Sequence, residues 1–187
     1  VSVDNFHGSE HTLSMSTATI TKHALADALK KCMQEDPFEK VTVAAICRRC
    51  DLNRKSFYYH FQDKYELVNW IFDQEIGDLL FDELLTTKPP SELVFMLCTY
   101  FGENRSFYSD LLRMYEPPSF RHHFEERLSP LLERILNMEA AKLVADPREI
   151  SSLVSDFCLS ALYRWLTRIP PTSAETFLED LTTVGII

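Results

Sequence analysis

Glycine is scarce in this chain, with four among 187 residues, and few stretches alternate polar with apolar positions. Both absences argue against strands and hairpins and for a mostly helical fold. No apolar run reaches the roughly eighteen residues a membrane-crossing helix needs, so none is expected. The opening VSVDNFHGSEHTLS is polar and lacks the apolar core of a secretion signal. It reads as a disordered arm, or a remnant foreign to the natural chain, over 1–17, with Met15 as the natural start. The five cysteines (Cys32, Cys47, Cys50, Cys98 and Cys158) are odd in number and stand mostly on apolar helix faces. Reduced packing thiols in a cytoplasmic protein are expected rather than a disulfide framework.

Catalytic signatures are missing too. There is no G-x-S-x-G, no glycine-rich phosphate loop and no H-E-x-x-H. Cys47-x-x-Cys50 has no second pair, and His122 and Glu126, four apart, make only two ligands, so no metal site is expected. Asp82 and Glu83 are adjacent and therefore on different sides of a helix, which suits no acid–base pair. Neither an enzyme nor a cofactor is expected.

What is present divides by charge. The net charge of −9 hides nine Lys/Arg against six Asp/Glu over 19–64, a head near +3. Over 65–187 there are ten against twenty, a body near −10, and 1–18 adds two more acids. A basic head on an acidic body fits a protein that grips phosphates at one end.

The head holds the densest signal, TVAAICRRCDLNRKSFYYHFQDK over 42–64. Thr42 precedes an apolar helical stretch (Val43, Ala44, Ile46, Cys47) and is expected to cap it. Asp51 stands where the chain reverses, and Asp tolerates left-handed backbone. Asn53 is placed to cap the next helix. Phe57 and Phe61, four apart, turn inward with Leu52 and Ile46. Arg54, Lys55, Ser56, Tyr58 and Tyr59 then point outward, a set suited to phosphates and thymine methyls. This is the pattern of a helix-turn-helix, whose second helix enters the DNA major groove.

Residues 42–64 resemble the DNA-binding motif of TetR-family transcriptional regulators. Thr42, Ile46, Leu52, Ser56, Phe57, Tyr58, Tyr59, His60, Phe61 and Lys64 fill the frame of that motif, and the likeness extends over about 20–75. Cys50-Asp51 replaces the family's usual Ala-Gly, and Asn53 replaces its Ser or Thr cap. The NRKSFYYHFQDKY run is similar to that of the family's subgroup associated with dihydroxyacetone-kinase operons. The resemblance implies an all-α fold, with a three-helix head over 18–64 joined to a helical ligand and dimerisation body over 65–187. It also implies that Arg54, Lys55, Ser56 and Tyr58 approach base edges or nearby backbone, while Thr42, Tyr59, His60 and Lys64 hold phosphates.

The body reads as helices over 63–85, 91–101, 107–115, 119–143, 147–168 and 173–184, with Ser91 capping the second and Pro130 a site for a kink in the fourth. The last two carry apolar stripes. Leu153, Phe157, Ala161, Trp165, Phe177 and Leu181 are expected to pair with a second copy, as the resemblance implies. Among many aromatics in the middle helices, Tyr100, Arg113, Tyr115, His123 and Phe157 are candidate ligand residues. The expected protein is a homodimeric regulator, a repressor before an activator, on a palindromic operator of double-stranded DNA. A small-molecule effector or a partner protein shifts the body toward a state whose recognition helices no longer match grooves about 34–36 Å apart. The lever is the helix from Lys64 onward. The alternatives are a dimeric protein-interaction adaptor or a co-activator-dependent activator.

Overall fold

In the computed structural model the described residues are 17–80, 86–114, 120–140 and 147–183. The expected arm lies outside them except for Thr17, as do Tyr115, Phe81, residues 81–85 and the end of the last helix beyond 183. The described residues contain helices and no strand, the all-α, TetR-like class expected. None of these helices is long and apolar enough to cross a membrane.

Three helices build the head. α1 (Thr17–Met33) buries Leu25, Ala28, Leu29 and Cys32, the three-to-four-residue spacing of one helical face. A single 3₁₀ turn, Phe38–Lys40, follows Pro37 and drops the fully buried Phe38 into the core. α2 (Val43–Arg49) and α3 (Arg54–His60) complete the head. α4 (Lys64–Leu79) leaves it, capped by the Asp63 carboxylate, which accepts from the amides of Tyr65 (2.8 Å) and Glu66 (2.9 Å). Helix α4 ends at Leu79, six residues before the expected limit.

Further along the body, Pro90 rather than a Ser91 cap opens α5 (Pro90–Glu103). Proline suits the first helical position because its fixed φ matches the helix and its missing N–H would be unpaired there anyway. Asn104 closes α5 and opens α6 (Arg105–Leu112), placing that helix earlier than the expected 107–115. α7 (Phe120–Ala140) runs through Pro130, and α8 (Pro147–Thr167) packs against it, with the buried Ser155 hydroxyl donating to the Ser129 carbonyl at 3.2 Å. α9 (Ala174–Thr183) is capped by Ser173, whose hydroxyl accepts from the Thr176 amide at 3.2 Å.

The body's centre is a ring cluster around Phe72 of α4. Its ring centroid lies 5.2 Å from Phe120, 5.5 Å from Phe124, 5.9 Å from Tyr108 and 6.4 Å from Phe101. α4 is thus locked to α5 by a stacked ring contact and to α6 and α7 by edge and tilted ones, each worth about 0.5–1.5 kcal/mol beyond area burial. A second knot joins α8 to α9. Trp165 stacks on Phe177 with centroids 4.7 Å apart, and its indole N–H donates to the Thr172 carbonyl at 3.1 Å. Arg105 lies over the Trp165 ring and donates to the carbonyls of Thr172 (2.6 Å), Trp165 and Arg168 (3.5 Å), satisfying the end of α8. Gly102 permits this closeness, since a Cβ there would stand 3.2 Å from that of Ala174.

Candidate nucleic-acid interface

The turn between α2 and α3 is held by local bonds. The Thr42 hydroxyl accepts from the Ala45 amide at 3.2 Å, capping α2. Asp51 adopts φ 54°, the left-handed conformation, and the Leu52 amide then reaches back to the Cys47 carbonyl at 2.9 Å. The Asn53 side-chain oxygen Oδ1 accepts from the Ser56 amide (2.8 Å) and hydroxyl (3.2 Å), capping α3. Left-handed backbone costs a residue with Cβ roughly 1–2 kcal/mol, least for Asn and Asp. Asp51→Val is therefore expected to lower unfolding free energy by about 1–2 kcal/mol, whereas Asp51→Gly stays near the parent. Urea titration of the two variants checks this, and equal stability of Asp51→Val and the parent would refute it.

Ile46, Phe57 and Phe61 are buried, so α3 shows its opposite side to solvent. On that side Tyr59 is 82 % exposed and Tyr58 50 %, beside exposed Arg54 and Lys55. The Arg54 guanidinium lies over the Tyr58 ring at 5.9 Å and donates to its hydroxyl at 3.5 Å, so the two form one cationic-aromatic unit. The Tyr59 ring meets the half-buried His60 edge-on at 4.9 Å. Thr42 is also exposed, while Ser56 is half-buried with its hydroxyl turned to Asn53.

Lys64 is placed differently from the phosphate-holding role the motif implies. Its Nζ donates to the carbonyls of Phe38 (2.6 Å), Glu39 (3.1 Å) and Val41 (2.8 Å) and lies 4.3 Å from the Phe38 ring centroid. An ammonium has three donors, and all three end on this chain. Burial lowers its pKa, and Glu39 partly opposes the shift. Lys64 thus pins the turn that delivers the chain to Thr42.

Tyr100, Arg113 and His123 of the candidate ligand residues hold partners within this chain. The Tyr100 hydroxyl donates to Glu75, Arg113 to the Thr167 carbonyl at 3.0 Å, and His123 Nε2 is 3.0 Å from Asp73. Phe157 stands apart, 52 % exposed on α8, and Tyr115 lies outside the described residues. The expected interface stripe is split as well. Leu153 (70 % exposed) and Phe157 face solvent and Ala161 is half-buried, but Trp165, Phe177 and Leu181 are buried within the monomer because Trp165 and Phe177 stack on each other. Phe157, Ala161, Arg164 and Leu181 border an open groove between α8 and α9.

Sequence reasoning missed a polar junction between head and body. Glu75 of α4 takes a salt bridge from Lys30 of α1 and hydrogen bonds from Tyr100 of α5 and, at 3.1 Å, Tyr108 of α6. Tyr108 divides its single proton between Glu75 and the Tyr100 oxygen. Burial, before the nearby charge of Glu75, pushes the Tyr100 hydroxyl far up, and burial does the same to Tyr108. Two residues further along α6, Asp110 accepts from the Phe38 amide at 2.7 Å. These partners lie 25 to 72 positions apart, and no local pattern announces them.

Burial also pushes the Cys47 and Cys50 thiols up, and that of Cys98 up to about 12, which keeps them protonated. His122 and Glu126 form an exposed pair at 3.3 Å, and no metal-holding group of three occurs among the described residues.

With this geometry, residues 25–71 match the family described as bacterial regulatory proteins, tetR family. The chain is 29 % identical over 124 residues to the HTH-type dhaKLM operon transcriptional activator DhaS of Lactococcus lactis subsp. lactis (strain IL1403). That match covers 66 % of this chain and 65 % of the relative, just under two thirds of its length. Among solved structures, a dihydroxyacetone kinase operon activator DhaS superposes with TM-score 0.72 at 22 % identity, over 88 % of this chain and 93 % of that one. A TetR transcriptional regulator from Streptococcus agalactiae 2603V gives 0.63 at 20 % identity, over 89 % and 94 %. FadR of Thermus thermophilus, a TetR-family transcriptional repressor solved in complex with lauroyl-CoA, gives 0.64 at 16 % identity, over 87 % and 92 %. At these identities the structural likenesses establish the fold.

Proposed function

We propose that the chain, whose residues 25–71 match the tetR family of bacterial regulatory proteins, is a cytoplasmic, sequence-specific DNA-binding protein of that family acting as a homodimer on a palindromic operator. One observation carries the reading. A doubly capped helix-turn-helix presents Arg54, Lys55, Tyr58 and Tyr59 to solvent on the face of α3 opposite its core. Exposed tyrosines flanked by two cations suit phosphates and base edges, and idle surfaces rarely carry them. In this reading Arg54, Lys55, Ser56 and Tyr58 reach base edges or nearby backbone, and Thr42, Tyr59 and His60 hold phosphates. Lys64 positions the motif instead of touching DNA. The head is 18–64 and the body 65–187.

Dimerisation follows from need and from surface. One helix-turn-helix makes too few contacts for tight specific binding, and two-fold pairing matches a palindrome. The exposed Leu153 and Phe157, with Ala161 one turn on, offer the self-complementary face, and Trp165, Phe177 and Leu181 give it a rigid backing. α4 is the lever, since it joins the head directly to the aromatic centre of the body. A small effector or a partner protein acts on that body. Activation as an alternative to the expected repression is favoured by one relative's name, which reads transcriptional activator. Operator position relative to the promoter sets that sign.

Selection of bound sequences from a random duplex library tests the reading. An enriched palindrome is expected, with affinity falling steeply with salt. Tyr59→Ala is expected to weaken binding to that palindrome at least tenfold while the dimer survives in sedimentation. A stable dimer that enriches no sequence would favour the adaptor instead.

A further inference from the structure

Lys64, the lysine of the motif, spends its donors on carbonyls, so the flank at the C-terminal end of α3 needs another cation. α1 supplies one. Lys30 of α1 pairs with Glu75 of α4, and His23 meets Trp70 edge-on at 5.1 Å, so the two helices run side by side in the same sense. Moving toward the start of α1 therefore moves toward the start of α4, at the end of the recognition helix. A six-residue step along α4 from Trp70 to Lys64 covers about 9 Å at the helical rise. There Lys22 Nζ sits 5.4 Å from the Phe61 ring centroid and 5.6 Å from that of Trp70. The rings continue one into the next from the exposed face of α3: Tyr59 to His60 at 4.9 Å, His60 to Phe61 at 6.4 Å, Phe61 to Trp70 at 5.8 Å.

We propose that Lys22 is a phosphate-contacting residue of the DNA interface, held in place by the Phe61 and Trp70 rings. This rests on the DNA-binding reading above. Among the described residues, Lys22 has no carboxylate within 4.0 Å, unlike Lys30, Arg49 or Lys88. Aromatic faces orient an ammonium without neutralising it, and they leave its N–H donors for an acceptor from outside. Phosphate contacts of this kind set register on the duplex and carry no sequence information.

The test is operator affinity across a salt series for the parent, Lys22→Met, Lys22→Gln and Lys22→Arg, each with a thermal melt. Each lost phosphate contact makes the slope of log affinity against log salt shallower by about 0.9, hence about 1.8 for two subunits on one operator. Lys22→Met, which keeps an apolar stem over the rings, is expected to show that change with an unaltered sequence preference, and Lys22→Arg to restore the parent slope. Lys22→Gln gives the same reading should Lys22→Met melt early. A parental slope in either folded variant, beside a parent that binds steeply, overturns the Lys22 role alone. A parent that enriches no duplex overturns the DNA-binding reading and this role with it.

Discussion

Phe157→Asp is expected to leave the chain folded but monomeric, with operator affinity falling about a thousandfold. Phe157 is 52 % exposed and Leu153, one turn earlier on the same face, 70 % exposed, so neither holds the monomer together. In a two-fold interface each substitution acts twice. Removing a buried aromatic anchor costs about 2 kcal/mol or more per site. Two sites give about 4 kcal/mol, roughly a thousandfold in the dimer constant. The charge introduced by Asp adds desolvation on top. Sedimentation at micromolar protein reads the dimer, circular dichroism the fold, and an operator shift the affinity. A dimer persisting with parental affinity would move the interface away from this face.

Glu75→Ala is expected to lower unfolding free energy by about 3 kcal/mol, because it removes the carboxylate shared by a half-buried ammonium and two phenols. The figure sits at the low end of the range for broken buried pairs, since the Lys30 side chain keeps a quarter of its surface in water. Urea unfolding measures it, and a loss below about 1 kcal/mol would mean the junction contributes little. The same phenols impose a pH dependence. Both are raised above the ordinary tyrosine pKa of 10.0, so the folded state holds these protons more tightly than the unfolded chain. Their contribution is complete below about pH 10 and is lost as pH climbs above it. The double variant Tyr100→Phe, Tyr108→Phe is expected to flatten that alkaline decline.

The junction also ties the body to the head by more than α4. α6 touches the head at two further points, with Phe107 under Lys30 at 5.3 Å and Asp110 on the Phe38 amide. The Phe38–Lys40 turn therefore answers both to α6 and to Lys64, and it leads straight into the Thr42 cap of α2.

The sequence by itself determined most of what depends on neighbours within one helical turn, the Ser91 cap excepted. Thr42, Asn53 and Asp63 cap the helices they precede, because a cap needs only an oxygen two or three residues from an unpaired amide. Asp51 takes the left-handed turn where the family's usual glycine is absent, and the 57/61 spacing turns both rings inward while Tyr58 and Tyr59 face out. Tertiary structure decided which of two equal-looking options a side chain takes. Lys64 lies in a motif that implies a phosphate contact, yet the carbonyls of Phe38, Glu39 and Val41, 23 to 26 residues upstream, capture its ammonium. Trp165 and Phe157 belong to one apolar stripe, yet Phe177 claims the first and leaves the second exposed. Glu75 carries no signal in its own neighbourhood, yet Lys30, Tyr100 and Tyr108 converge on it from three other helices. Periodicity reports that a face is apolar or polar. Which partner meets that face depends on packing between helices far apart in the chain.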